Sequence, residues 1–216
     1  MAFDHPSTDI YPAGHGHDDF GSFCAFFKEM QVIIDIGCFS YDITQNEVNG
    51  RENACHNVVQ VDNKSLLPSG RGINSLIGGI ARQKANFCFN NDEKKMLWNV
   101  TTNFAVNWSR QVKLNNESLH IYDDFLSTGK KTHSAEGYYY FAPGVQIEFI
   151  KNHQWILSYK KIKLLLTLEG ADSVVFEETD FYPNYGESRL SHRLSWKSEF
   201  IKKNQIRVMV NHYLDY

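Results

Sequence analysis

Two histidines and a carboxylate stand at alternate positions in Ala13–Phe23, which reads AGHGHDDFGSF: His15, His17 and Asp19. In an extended strand, residues two apart share a face, so the three side chains would point the same way. Two imidazoles and a carboxylate on one face can make a metal site or a proton-transfer site. They can also make a hydrogen-bonded loop that holds no metal.

Further along, Val32-Ile33-Ile34-Asp35-Ile36-Gly37 is an apolar strand that ends on a carboxylate before a glycine turn. An Asp buried among aliphatic neighbours costs several kcal/mol unless it is paired or ligates a metal. The segment Gly50–Asp62 then places a His56-Asn57 pair at the head of alternating valines. His17, Asp35 and His56 thus fall near the ends of three strand-like segments, and two His with one Asp make a plausible zinc set. The spacing HxHxD also opens the binuclear metallo-β-lactamase motif. There a His follows the Asp, where this chain has Phe20, and no matching downstream His spacing follows.

The elements that must position these residues are strands. Phe104, Val106, Trp108, Val112 and Leu114 share one parity, with Arg110 the exception; Val145, Ile147 and Phe149 repeat the pattern. So do Ile162, Leu164, Leu166 and Leu168, and then Ile206, Val208 and Val210. A period of two puts one face in a core and the other in water. Turn clusters separate the runs: Asn115-Asn116, Ser127-Thr128-Gly129, Ala142-Pro143-Gly144, Glu169-Gly170-Ala171 and Tyr185-Gly186. Many short strands so punctuated predict an all-β antiparallel sandwich. Ser75–Lys84 could form a turn or two of helix, weakened by Gly78-Gly79.

Composition narrows the function classes. A chain of 216 residues with 42% hydrophobic and 22% charged residues is ordinary for one globular domain. The formal net charge of -3 and the absence of long basic runs argue against nucleic acid as a partner. No stretch approaches 18 apolar residues, so no membrane span is expected, and Met1–Ile10 lacks the features of a signal peptide. The four cysteines show no CxxC spacing and read as reduced, mostly buried small side chains. Aromatic residues, 14% of the chain, suit strand cores and also surfaces that stack on sugar rings.

The run GHGHDDFGSF, then IIDIGCFSYD, then Arg51 separated by four residues from HNVVQVD, resembles the opening of the heparinase II/III C-terminal β-sandwich domain. The likeness continues more loosely through Arg110-Gln111-Val112, Asp123-Asp124, Tyr140–Val145 and Tyr182–Gly186. It implies a β-sandwich of the super-sandwich type over 14–216, preceded by a short extension, 1–13. It further implies that His17, Asp35 and His56 bind a structural metal, zinc or another divalent ion, that clamps the strands facing the active site.

Lyases of that family cleave uronic-acid polysaccharides, such as glycosaminoglycans or alginate, by β-elimination. The substrate carboxylate is neutralised, a base takes the C5 proton and an acid protonates the leaving oxygen. The resemblance assigns His15 a place beside substrate as base or charge stabiliser. Tyr41 matches the tyrosine after the metal-binding Asp, and Arg51 matches an arginine able to grip a carboxylate bidentately. Family enzymes also place an α/α toroid before the sandwich, so the partners implied are an acidic polysaccharide and a helical domain or partner chain. Alone, this chain is expected to be an inefficient lyase. The family is largely periplasmic or secreted, whereas this sequence carries no export signal. The alternative is a non-catalytic, metal-stabilised carbohydrate-binding or scaffold module, which exposed Trp98, Trp155 or Trp196 on a concave face would favour.

Overall fold

The computed structural model describes residues 17–28, 30–37, 52–67 and 85–213. His15, Tyr41, Arg51, Cys38 and the Ser75–Lys84 segment lie outside the described residues. In chain order the strands are β1 (Ala25–Phe27), β2 (Met30–Ile34), β3 (Val59–Val61), β4 (Lys64–Ser65), β5 (Ala85–Asn90), β6 (Lys95–Thr101) and β7 (Val106–Leu114). They continue as β8 (Ser118–Ser127), β9 (His133–Phe141), β10 (Gln146–Lys151), β11 (Gln154–Tyr159), β12 (Ile162–Glu169), β13 (Ser173–Phe181), β14 (Arg189–Phe200) and β15 (Lys203–His212). The helical content of the described residues is one 3-10 turn, Asn53–Cys55.

The expected all-β antiparallel sandwich is what forms. One sheet runs β1-β2-β9-β14-β13, with β3 also on β9 and β4 on β3; the other runs β10-β11-β12-β15-β8-β7-β6-β5. Each quoted turn cluster falls at a junction between consecutive strands. Between the sheets lies one apolar core, which takes Val106, Trp108 and Val112 from β7, Leu164, Leu166 and Leu168 from β12, and Ile206, Val208 and Val210 from β15.

Several expectations need correction. Trp98, Trp155 and Trp196 are all buried, so no tryptophan platform faces solvent. The run Val145, Ile147, Phe149 buries its first residue, but Phe149 is 63% exposed, because β10 is the edge strand of its sheet and its apolar side extends beyond the core. The cysteines do not share one environment: Cys55 is buried, Cys24 intermediate and Cys88 exposed, all with free thiols.

Arg110, the break in the β7 pattern, is itself fully buried on the core side. Its Nε and Nη2 donate to the two oxygens of Asp123 on β8, at 2.8 and 2.9 Å. Trp108 Nε1 donates to the same carboxylate at 3.0 Å. Burial alone would lower the Arg110 pKa, but the Asp123 charge more than offsets it and the group stays ionised. The remaining guanidinium nitrogen, Nη1, crosses the core to the carbonyls of Gly21, at 2.9 Å, and Asn57, at 2.5 Å. A polar bolt in the larger sheet therefore fixes the segments that carry His17 and His56.

Candidate functional site

β14 covers one edge of β9 along its length, so β2 and β3 share the other edge end to end. Ile33 and Ile34 pair with Phe141 and Tyr140, while Val59 pairs with Gly137. Asn57, with no exposed surface, fills the break between the two short strands. Its Oδ1 accepts the Tyr140 N–H at 2.8 Å, and its Nδ2 donates to the carbonyls of Ile34, at 2.7 Å, and Phe23, at 3.0 Å. One side chain thus completes a ladder the backbone leaves open, since buried N–H and C=O groups must be paired.

That junction brings the three residues selected from the sequence, His17, Asp35 and His56, to one place. Asp35 follows β2 directly, His56 precedes β3, and His17 lies in the loop before β1. His56 Nδ1 and Asp35 Oδ2 are 2.7 Å apart. The rings of His17 and His56 have centroids 5.3 Å apart and planes tilted by 47°. Gly37 N–H holds the other Asp35 oxygen at 2.9 Å, and glycine is required there by its φ of +75° and the adjacent Tyr182 backbone. Asp35 is less buried than its aliphatic neighbours suggested, with its side chain 41% accessible, whereas His56 is only 2% exposed.

The charges reinforce one another. Burial pushes the Asp35 carboxyl up, but the hydrogen bond and charge of His56, the Gly37 N–H and His17 outweigh it and hold the group below its ordinary range. Burial likewise pushes His56 down, and the bond and charge of Asp35, with Asp19 and Asp18 behind it, raise it instead. Both shifts favour the charged forms, a carboxylate on Asp35 and an imidazolium on His56. Among the described residues, no three of His, Cys, Asp and Glu are gathered as tightly as a bound metal requires. One feature nevertheless fits a cation: the buried Nε2 of His56 has no hydrogen-bond partner among the described residues. Such an orphan calls for an explanation, and an ion is one.

Beside this cluster, on the outer face of the smaller sheet, Ile34, Ile36, Cys55, Tyr138 and Tyr140 form a second apolar patch. Arg193 lies over the Tyr138 and Tyr140 rings, at 5.3 and 5.8 Å, and pairs with Glu177 at 2.6 Å. The Tyr140 hydroxyl donates to the Ala54 carbonyl and receives an Arg193 N–H at 3.2 Å. Burial pushes its pKa to about 12, so this phenol is a clamp rather than a ready base. Sequence reasoning gave no role to Asn57, Tyr140 or Arg193. Asn57 left a signal as the second residue of the His-Asn pair and Tyr140 as the start of the Tyr140–Val145 stretch, whereas Arg193 left none.

Among the described residues the class is that of an antiparallel β-sandwich of a seven- and an eight-stranded sheet, with an imidazole–carboxylate pair at a strand junction. The chain belongs to the heparinase II/III-like family: the C-terminal domain of that family matches residues 4–209. Solved structures agree in fold. A heparinase III superposes with a TM-score of 0.71 at 14% identity, over 92% of this chain and 31% of that one. Heparan sulfate lyase HepC from Pedobacter heparinus gives 0.70 at 15% identity, over 94% and 32%. This chain therefore spans about a third of the length of the structures it resembles. No curated protein matches it at the level of sequence.

Proposed function

We propose that this domain is the sandwich part of a polysaccharide lyase that cleaves uronic-acid-containing glycans by β-elimination, completed by a helical domain or partner chain. Family membership carries the reading, together with neighbours that are themselves heparinase III and heparan sulfate lyase structures. His15, Tyr41 and Arg51 act on the substrate. Arg51 neutralises the uronate, so that the C5 proton becomes acidic. His15 serves as base or charge stabiliser, and Tyr41 is the third member of the catalytic set.

His17, Asp35 and His56 hold a divalent metal, zinc by the chemistry of the donor set, which supplies a cross-link rather than a reaction step. The orphaned His56 Nε2 and the His17 ring beside it support this, and a cation at Nε2 would take the place of a proton on that nitrogen. The buried Trp98, Trp155 and Trp196 lend nothing to the alternative of an aromatic sugar-binding module.

Elemental analysis of the purified chain tests the metal. We expect one divalent ion per chain, lost in His56→Ala together with a fall in Tm. A wild-type chain that stays metal-free after supplementation would sink the site. Titration with an unsulfated uronate tetrasaccharide tests the substrate class. We expect binding that Arg51→Ala weakens about tenfold, as loss of a charge-assisted bond implies. A wild-type chain indifferent to the uronate overturns that assignment.

A further inference from the structure

The outer face of the eight-stranded sheet carries a second polar site, far along the topology from the His–Asp cluster. Register sets Asn86 beside Asn99, Asn99 beside Ser109, and Ser109 beside Asp124, in one row across β5, β6, β7 and β8. Asn107 and Leu126 pair in the neighbouring row. Together these side chains line a groove of 630 Å³, within the usual size of small-molecule sites.

Three observations point to a ligand. Asparagine is disfavoured in strand interiors, because its amide competes for backbone hydrogen bonds. Yet Asn86, Asn99 and Asn107 occupy three adjacent strands, and neither their amides nor the Ser109 hydroxyl makes a side-chain hydrogen bond among the described residues. Local choices that oppose propensity without a structural return mark functional positions. Asp124, by contrast, is held in place: Gln205 Nε2 donates to its Oδ1 at 2.6 Å, and Gln205 Oε1 accepts from Arg207 Nε at 2.8 Å. Leu126, 50% exposed, adds an apolar patch to the same groove.

A carboxamide offers a donor and an acceptor side by side, which matches two neighbouring hydroxyls, and a carboxylate accepts from two more. An exposed leucine suits the C–H face of a sugar ring. Asp124 balances Lys203, the cation in the lining, so the groove has no surplus charge for a uronate or sulfate. We propose that this groove binds a neutral saccharide unit through its vicinal hydroxyls. The groove lies on the other sheet from the His17–Asp35–His56 cluster and does not depend on it.

The test is an amide chemical-shift titration of the isotope-labelled chain with cellotetraose, mannotetraose and maltotetraose, with a sulfated heparan tetrasaccharide for comparison. At least one neutral sugar is expected to shift the side-chain amides of Asn86, Asn99 and Asn107. Asn99→Ala should weaken that sugar about tenfold, as loss of a bidentate contact implies, while Ser195→Ala on the other sheet leaves it unchanged. Asn86→Ala, on the edge strand, serves as a second variant should the first fold poorly. The proposal is overturned if no neutral sugar shifts these amides, if the sulfated sugar alone does so, or if both variants bind like wild type. None of these outcomes bears on the metal analysis.

Discussion

Asp62 shows how a single carboxylate ties a turn to its neighbours. It occupies the two-residue turn between β3 and β4 with φ of 53°, a left-handed conformation that Asp and Asn tolerate. Its oxygens receive the Ser134 N–H and the Lys131 ammonium, each at 3.1 Å, and contact His133 Nδ1 at 3.0 Å. Burial raises its pKa, but the Ser134 N–H, His133 and Lys131 outweigh this and hold the carboxyl low. A group depressed on folding stabilises above its unfolded pKa of about 3.9 and loses that contribution as pH falls through the lower folded value. Asp62→Asn should therefore lower Tm at neutral pH and flatten its acid limb. Thermal melts from neutral to strongly acid pH measure this, and a curve merely parallel to wild type would contradict it.

At the scale of elements, the junction of β2, β3 and β9 is the feature on which the cluster depends. Two short strands share one edge of β9, and the Asn57 amide bridges the gap between them. Asn57→Ala leaves the Tyr140 N–H and the Ile34 and Phe23 carbonyls without their partner. Each unmet buried group costs roughly 1–3 kcal/mol, so the loss should reach about 3 kcal/mol or more by urea denaturation. Retention of the proposed metal should fall with it, because Asp35 and His56 flank the break. A loss below about 1 kcal/mol would mean that backbone or water takes over the bonds. β9 also needs its glycine: a side chain at Gly137 would collide with the Trp196 indole, its cross-strand neighbour on β14.

Across the whole molecule, the Arg110–Asp123 pair couples the core of the larger sheet to the loops of the smaller one. The Tyr139 hydroxyl on β9 also reaches Asp123, at 3.5 Å. Arg110→Met would leave Asp123 buried without its counter-ion, a change that costs about 3–5 kcal/mol. Adding Asp123→Leu should recover much of that loss, as apolar replacement of a whole buried pair often does. It should not restore the grip on the Gly21 and Asn57 carbonyls. Denaturation of the single and double variants, alongside their content of the proposed metal, checks both parts: stability returns in the double variant while affinity for that metal stays reduced. Equal losses in the two variants would mean that packing, not charge, sets the cost.

The sequence by itself determined the sandwich and three members of the cluster. Side-chain alternation is a local property of strands, so β7, β12 and β15 could be read from spacing alone, and rare residue types at strand ends singled out His17, Asp35 and His56. Alternation could not say which strand lies at an edge, and so it misjudged β10 and the exposure of Phe149. Nor could it say which tryptophans face the second sheet. Pairing decided the rest, because register between strands distant in the chain is a non-local choice. Register set β2 and β3 end to end on β9, gave Asn57 its place, turned Arg110 from a break in a pattern into the bolt of the core, and gathered three asparagines from separate strands into one groove.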